Sequence, residues 1–269
     1  MFKGRILVAV LGVPLVVAVM VLGGYAFLAA AELLVLVGLH EYYSLIRPYQ
    51  PNLLVGYLAG LGCVVGAFFG GLGGMALAIA STIVLLFVWA MGGPIGNHLV
   101  GRISITAFGV LWVGLGVAHL VLLRNLEHGM AFTVLAVGGT WASDPFAFIV
   151  GKLIGRHRLA PRISPKKSVE GSLGGLAGAV IFALGVKVYN GWLPVQDAVI
   201  LGLVVGLLGQ WGDLFESAIK RDMHVKDSGR LLRGHGGILD RFDSLLFAGM
   251  AAYWTALLLL PDVVGAWRR

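Results

Sequence analysis

Stretches of about 20 apolar residues, separated by short polar intervals, recur along the chain. A helix of that length, rising 1.5 Å per residue, crosses the roughly 30 Å hydrocarbon core of a bilayer. The windows predict nine spanning helices, over 5–22, 25–45, 53–70, 74–92, 103–123, 130–150, 172–190, 196–219 and 240–260. The expected fold class is therefore all-α, a polytopic membrane protein. The opening run MFKGRILVAVLGVPLVVAVMVLGGYAFLAAAE far exceeds the ~7–15 apolar residues of a secretory signal core and reads as retained helices. Two polar stretches stand out, GKLIGRHRLAPRISPKKSVEGS and KRDMHVKDSGRLLRGHGG, and neither is long enough for a soluble domain. The expected organisation is one integral membrane unit, with helices nearly empty of buried charge in 1–125 and a catalytic region in 126–269.

Composition agrees with the pattern. The chain is 58% hydrophobic and 12% charged, with a mean hydropathy of +0.91, where a soluble domain carries about 25% charged residues. Water-soluble classes are excluded. The 41 glycines include pairs at small-xxx-small spacing, Gly56/Gly60, Gly70/Gly74, Gly171/Gly175, Gly174/Gly178 and Gly202/Gly206, which predict close helix packing. Cys63 is the one cysteine, so a disulfide framework and a multi-cysteine zinc site are both excluded. Basic residues orient the chain. Lys3, Arg5, Arg47, Arg102, the six of 151–171 and the six from Lys220 to Arg241 fall on one side, and Arg124, Lys187, Arg268 and Arg269 on the other. By the positive-inside rule the N-terminus and both basic loops are cytoplasmic and the C-terminus is outside.

Charged groups in such a chain are costly and mark function. The helix over 196–219 is apolar until Asp213, then places Glu216, Ser217 and Lys220 three, four and seven positions later, on one face. An acid near the centre of a span costs about 2.5–3.5 kcal/mol on insertion scales and must face protein, water or a cation. An internal pair of Asp213 or Glu216 with Lys220 is one solution. Asp240 and Asp243 open the last helix, where an aspartate serves as a cap or as part of a site. A hairpin brings the ends of these two helices together, and four carboxylates at one membrane level favour a hard cation such as magnesium. Gly234, Gly236 and Gly237 around His235 leave room and free N–H groups for a phosphate. Lys220, Arg221, Lys226, Arg230 and Arg233 supply charge beside them, and Arg162, Lys166, Lys167 and Ser168 supply it from the other loop, which Pro161 and Pro165 stiffen. No phosphate-binding P-loop pattern occurs. Asp144, in WASDPFAF, either pairs with Lys152 or reaches the same cleft.

The stretch Ser217–Asp243, SAIKRDMHVKDSGRLLRGHGGILDRFD, resembles the signature of the phosphatidate cytidylyltransferase family. It has Ser-x-apolar-Lys-Arg, then Lys-Asp-x-Gly, then His-Gly-Gly-x-x-Asp-Arg-x-Asp. GDLFES, WASDPFAF and HRLAPRISPKKSVEG look like family segments in the family's order, so the resemblance covers the C-terminal half by motif and the N-terminal half by hydropathy. It implies that CTP and phosphatidate give CDP-diacylglycerol and pyrophosphate, in a bacterial-type cytoplasmic membrane. It further implies Mg2+, with room for a second cation, on Asp213, Asp240 and Asp243, with Glu216 near them. Lys220, Arg221, Lys226, Asp227 and His235 complete the catalytic set. Asp144, Lys166, Lys167, Ser168, Ser217, Arg233, Gly236, Gly237 and Arg241 are the expected substrate contacts. The partners expected are CTP, phosphatidate and membrane lipids, without nucleic acid, and a homodimer is the oligomer allowed for. Arg233 stands where the family has proline or a small residue, Pro145 where a hydroxyl residue follows the aspartate, and Ser168 where threonine is common. The rival readings are a CTP-dependent lipid kinase, a cytidylyltransferase for another lipid phosphate, and an ion or anion transporter. A transporter would place its charges near the midplane and in both halves of a repeat, whereas these crowd one face.

Overall fold

The computed structural model describes residues 2–92, 98–229 and 236–261, apart from the side chains of 2–9 and 11. The chain is built from helices: α1 (Phe2–Leu22), α2 (Gly24–Leu45), α3 (Leu53–Gly92), α4 (Leu99–Arg124), α5 (Gly129–Ile154), α6 (Val169–Tyr189), α7 (Val195–Asp222) and α8 (Leu239–Leu259). The fold is all-α and polytopic. Among the described residues seven helices are long and apolar enough to span a membrane, and they differ from the expected nine at two places. The apolar part of α1 that is described runs only over Gly12–Leu22, and the expected spans 53–70 and 74–92 follow each other without a connecting loop as the two limbs of α3, divided by a kink at Gly71.

That element is not straight. Forty helical residues would extend about 60 Å, twice the hydrocarbon core. At Gly71 the backbone turns to φ 59°, ψ −144°, and beyond it the chain returns. Gly66 lies against Gly74, and Gly62 against Ala78, pairs spaced symmetrically about Gly70. Two antiparallel limbs result, each about the length of one span. A methyl group on Gly71 would touch nothing within 4 Å, so Gly71→Ala is expected to cost only the backbone strain, about 1–3 kcal/mol. The thermal unfolding midpoint in detergent should fall; an unchanged midpoint would show that the reversal does not depend on this glycine.

The chain divides into two compact units, Met1–Leu122 with Asp227–Arg241, and Leu123–Lys226 with Phe242–Arg269. In the first, α2, α3 and α4 enclose Val35, Leu39, Tyr43, Cys63 and Val64. Gly60 admits Leu39 and allows Gly114 to approach it closely, and the Tyr43 hydroxyl donates to the Thr106 carbonyl at 2.9 Å. In the second, α5, α6 and α7 pack together, and Gly171 meets Gly151 so closely that a methyl group on it would lie 3.1 Å from the Gly151 Cα.

Between α5 and α6 the basic loop forms a two-stranded antiparallel ribbon, β1 (Arg158–Ala160) and β2 (Ser164–Ser168), pairing Arg158 with Ser168 and Ala160 with Ser164. Its reverse turn carries Pro161, whose fixed φ suits the first central position, and closes with the Ile163 N–H donating to the Ala160 carbonyl at 3.1 Å. Pro165, lacking an N–H, is tolerated because both strands are edges. Ser168 then caps α6, accepting the Gly171 N–H at 3.1 Å. Glu170 ties the loop back by accepting from the Arg156 N–H at 3.0 Å and pairing with His157 Nδ1 at 2.6 Å.

Candidate functional site

A cavity of about 360 Å³ opens within the second unit, between α5, the β1–β2 ribbon, α6 and the half of α7 that leads from Val205 to Asp213. This is within the size range of small-molecule sites. Its wall has two characters. Lys152, Lys166, Lys167, Asp144 and Asp213 supply charge, while Phe148, Leu159 and Val205 are apolar. Lower on the wall, Gln210 Nε2 donates to the Ser172 carbonyl at 3.0 Å and lies 3.4 Å from Ser143 Oγ, and Ser172 Oγ donates back to Gln210 Oε1. A pocket that joins cations, acids and apolar surface at a membrane-spanning helix suits an anionic headgroup attached to a lipid.

Asp213 is the hinge between cavity and acid cluster. Its Oδ2 pairs with Lys167 Nζ at 2.5 Å, and its Oδ1 accepts from the Ser217 hydroxyl at 3.3 Å, one turn on. Behind it, Glu216 is 1% exposed and Lys220 8% exposed, and they pair at 2.9 Å through Glu216 Oε2. The expected internal pair is thus present, on Glu216 rather than Asp213. Asp243, also buried, lies near enough to Glu216, Asp213 and Lys220 for their charges to act on it. Glu216 Oε1 is buried without a hydrogen-bond partner. Two carboxyl groups beside a single lysine carry more negative charge than that lysine offsets, a setting that favours a cation. Among the described residues no three His, Cys, Asp or Glu side chains converge as a metal cage. Magnesium does not require one: it binds through one or two carboxylates, completed by water and substrate phosphate oxygens. Asp213 on the cavity wall, with Asp243 near it, offers oxygen ligands that fit that ion.

Other expected residues lie around these. Lys166, exposed on β2, and Ser168, buried as the cap of α6, both line the cavity. Arg221 holds the ribbon, with Nε donating to the Ile163 carbonyl and Nη1 to the Val225 carbonyl, both at 3.3 Å. Lys226 is exposed.

The first unit holds the remainder of the signature. Asp240 accepts the Ser228 N–H on both oxygens, at 3.2 and 3.0 Å, and the Gly237 N–H at 2.7 Å. Gly236 takes φ +79°, with Asp227 and Asp240 beside it. Asp227 and Arg241 are exposed. Gly237 makes room for Glu41, since a side chain there would strike the Glu41 carboxylate. Arg233 and His235, like Arg230 and Gly234, lie outside the described residues.

Several groups escaped the sequence reading. Gln210 stands one turn before Asp213 on the same face of α7, a spacing that was readable. Glu41, 4% exposed in α2, is one buried acid in helices read as nearly empty of buried charge. Its signal was an acid inside an apolar window, which averaging over 20 residues conceals.

Known proteins bear on this arrangement. The Cytidylyltransferase family matches residues 3–259. The chain is 35% identical to a phosphatidate cytidylyltransferase of Synechocystis sp., across 96% of this chain and 97% of that one. It is 31% identical to phosphatidate cytidylyltransferase 4, chloroplastic, of Arabidopsis thaliana, across 93% of this chain and 72% of the relative. It is 32% identical to a phosphatidate cytidylyltransferase of Mycobacterium bovis, across 91% and 84%.

Proposed function

The chain belongs to the cytidylyltransferase family, and from that membership we infer that it transfers the cytidylyl group of CTP to phosphatidate, giving CDP-diacylglycerol and pyrophosphate. Near end-to-end similarity to the Synechocystis relative carries this reading. A phosphatidate oxygen attacks the α-phosphorus of CTP, and the bond from that phosphorus to the bridging oxygen of the β-phosphate breaks. The attacking phosphate monoester is already anionic near neutral pH, so positioning and charge neutralisation suffice without a general base.

Lys152, Lys166 and Lys167 are assigned to attract the triphosphate, which their place on the cavity wall supports. Lys167 is held by Asp213 at 2.5 Å and exchanges that partner for a phosphate oxygen. Asp144 and the Ser143, Ser172 and Gln210 network face the phosphatidate headgroup, with Phe148 and Leu159 against its first apolar carbons. Mg2+, with room for a second cation, would be held by Asp213 and Asp243, and Asp240 is assigned to the metal on the strength of the signature alone; when bound, the ion would neutralise charge on the triphosphate and the departing pyrophosphate. Lys220 keeps the buried Glu216 neutralised, and Arg221 fixes the ribbon that carries the lysines. Lys226, Arg233 and His235 are assigned to phosphates on the strength of the signature alone. Purified protein given CTP, phosphatidate and Mg2+ should form lipid-soluble CDP-diacylglycerol with one pyrophosphate per lipid. Failure to form either product would refute the reading.

This protein is integral to the membrane, and the reading places the N-terminus, the ribbon and the end of α7 on the cytoplasmic side, where CTP is available. The division of basic residues supports it. Arg162→Cys and Asp222→Cys, both at exposed positions, in a Cys63→Ser background should resist an impermeant thiol reagent in intact cells and react in inverted vesicles. Labelling from outside would reverse the topology.

A further inference from the structure

We propose that Glu41 of α2 is a positioning residue for cytidylyl transfer, a carboxylate that holds two separate parts of the signature stretch, Ser228–Gly229 and Gly237–Leu239. The proposal rests on the inferred activity and adds to it a role for the N-terminal helices.

Glu41 lies one turn before the end of α2 and is 4% exposed. An acid in a spanning helix is retained where it gains strong partners, and Glu41 has three. Oε1 accepts the Ile238 N–H at 2.9 Å, while Oε2 accepts the Leu239 N–H at 2.7 Å and the Ser228 hydroxyl at 3.4 Å. Ile238 and Leu239 sit at the entrance to α8, where backbone N–H groups have no partner within the helix and the helix dipole favours negative charge. One carboxylate nearly 200 positions earlier in the chain, with separations of 197 and 198 residues, therefore caps the Ile238 and Leu239 amides at the helix entrance.

The grip reaches the earlier of the two parts as well. Ser228 gives its hydroxyl to Glu41 and its N–H to Asp240, so the two acids hold the same residue from its side chain and its backbone. Gly229 and Gly237 both pack on Glu41, and a methyl group on Gly229 would lie 3.0 Å from the Glu41 Cγ. These glycines fit the carboxylate as closely as backbone allows. Asp240, in the first turn of α8, is thereby fixed through the amides at the helix entrance. A displacement of about 1 Å in such a group costs roughly a hundredfold in rate.

The test uses the full-length protein with Glu41→Gln and Glu41→Asp. Glutamine keeps the volume but sets an NH2 against one of the two amides; aspartate keeps the charge but is one methylene shorter. Hydrogen–deuterium exchange of the segment 228–240 is measured together with kcat and KM for CTP. Glu41→Gln should exchange faster in that segment alone and lose on the order of a hundredfold in kcat, with KM for CTP within about threefold of wild type. Glu41→Asp should recover part of the lost kcat. Unchanged exchange, a wild-type kcat per folded molecule despite a lowered melting temperature, or a loss confined to KM would each overturn the proposal. If wild-type protein forms no CDP-diacylglycerol, the activity fails and the positioning role with it. The exchange data identify that case, because the Glu41 clamp would still be seen to hold.

Discussion

Asp213→Asn and Asp243→Asn should each lower turnover by about 10²–10³-fold, the scale on which one electrostatic contact to a transition state is felt, without loss of stability. At Asp213, asparagine still accepts the Ser217 hydroxyl but loses its charge opposite Lys167. That pair is about one-third exposed on each side, so its contribution to folding is small. At Asp243 the expectation is sharper. The side chain is buried against Glu216 and faces Asp213, so neutralising it relieves repulsion between acids. The variant should melt at or above the wild-type temperature while being nearly inactive. Opposed changes of this kind mark a group kept for function at a cost in stability. If Asp243→Asn melts lower and retains its turnover, the acids form a structural network and the metal assignment is wrong.

The second large effect separates Asp240 from the lysines of the ribbon. Asp240 organises three backbone contacts, to Ser228 on both oxygens and to Gly237, and asparagine offers one acceptor oxygen in place of two. Asp240→Asn should depress turnover about a hundredfold even at saturating CTP, because a misplaced group is not restored by more nucleotide. Lys166 is exposed and acts by attraction. Removing it weakens binding in ground and transition states alike, so KM for CTP should rise about tenfold with little change in turnover. That effect should shrink in 1 M salt, where screening acts over roughly 3 Å. Lys167→Ala also unpairs Asp213, which makes Lys166→Ala the cleaner variant. Kinetic constants at low and high ionic strength decide the matter. Rescue of Asp240→Asn by excess CTP, or a pure turnover loss in Lys166→Ala, would reverse the division of roles.

Much of this was legible before the structure. Helix positions follow from apolar windows because burying the backbone's polar groups in lipid leaves helix as the solution for such runs, and α5 to α8 begin and end within a few residues of those windows. Glycine punctuation marked the reversal in α3 but not its tightness. The ribbon was hidden because two prolines and five basic residues in 156–167 read as loop. Ser168 shows a readable signal given less than its due: a serine before an apolar run, with Glu170 in the first turn, is a helix start, and it caps α6. The pairing of Asp213 with Lys167 and the reach of Glu41 to Ile238 are long-range facts, 46 positions apart in the first case and 197 in the second. Periodicity carries no information about either.

The most direct test of cytidylyl transfer follows the two ends of CTP separately. Purified protein, phosphatidate and Mg2+ are supplied with CTP labelled either at the α- or at the γ-phosphorus, and label entering the lipid phase is counted. Attack at the α-phosphorus places the first label in the lipid and sends the second into pyrophosphate, in equal amounts. A γ-label in the lipid, with diacylglycerol as the better acceptor, would instead make the protein a CTP-dependent kinase and contradict the assignment of the cavity.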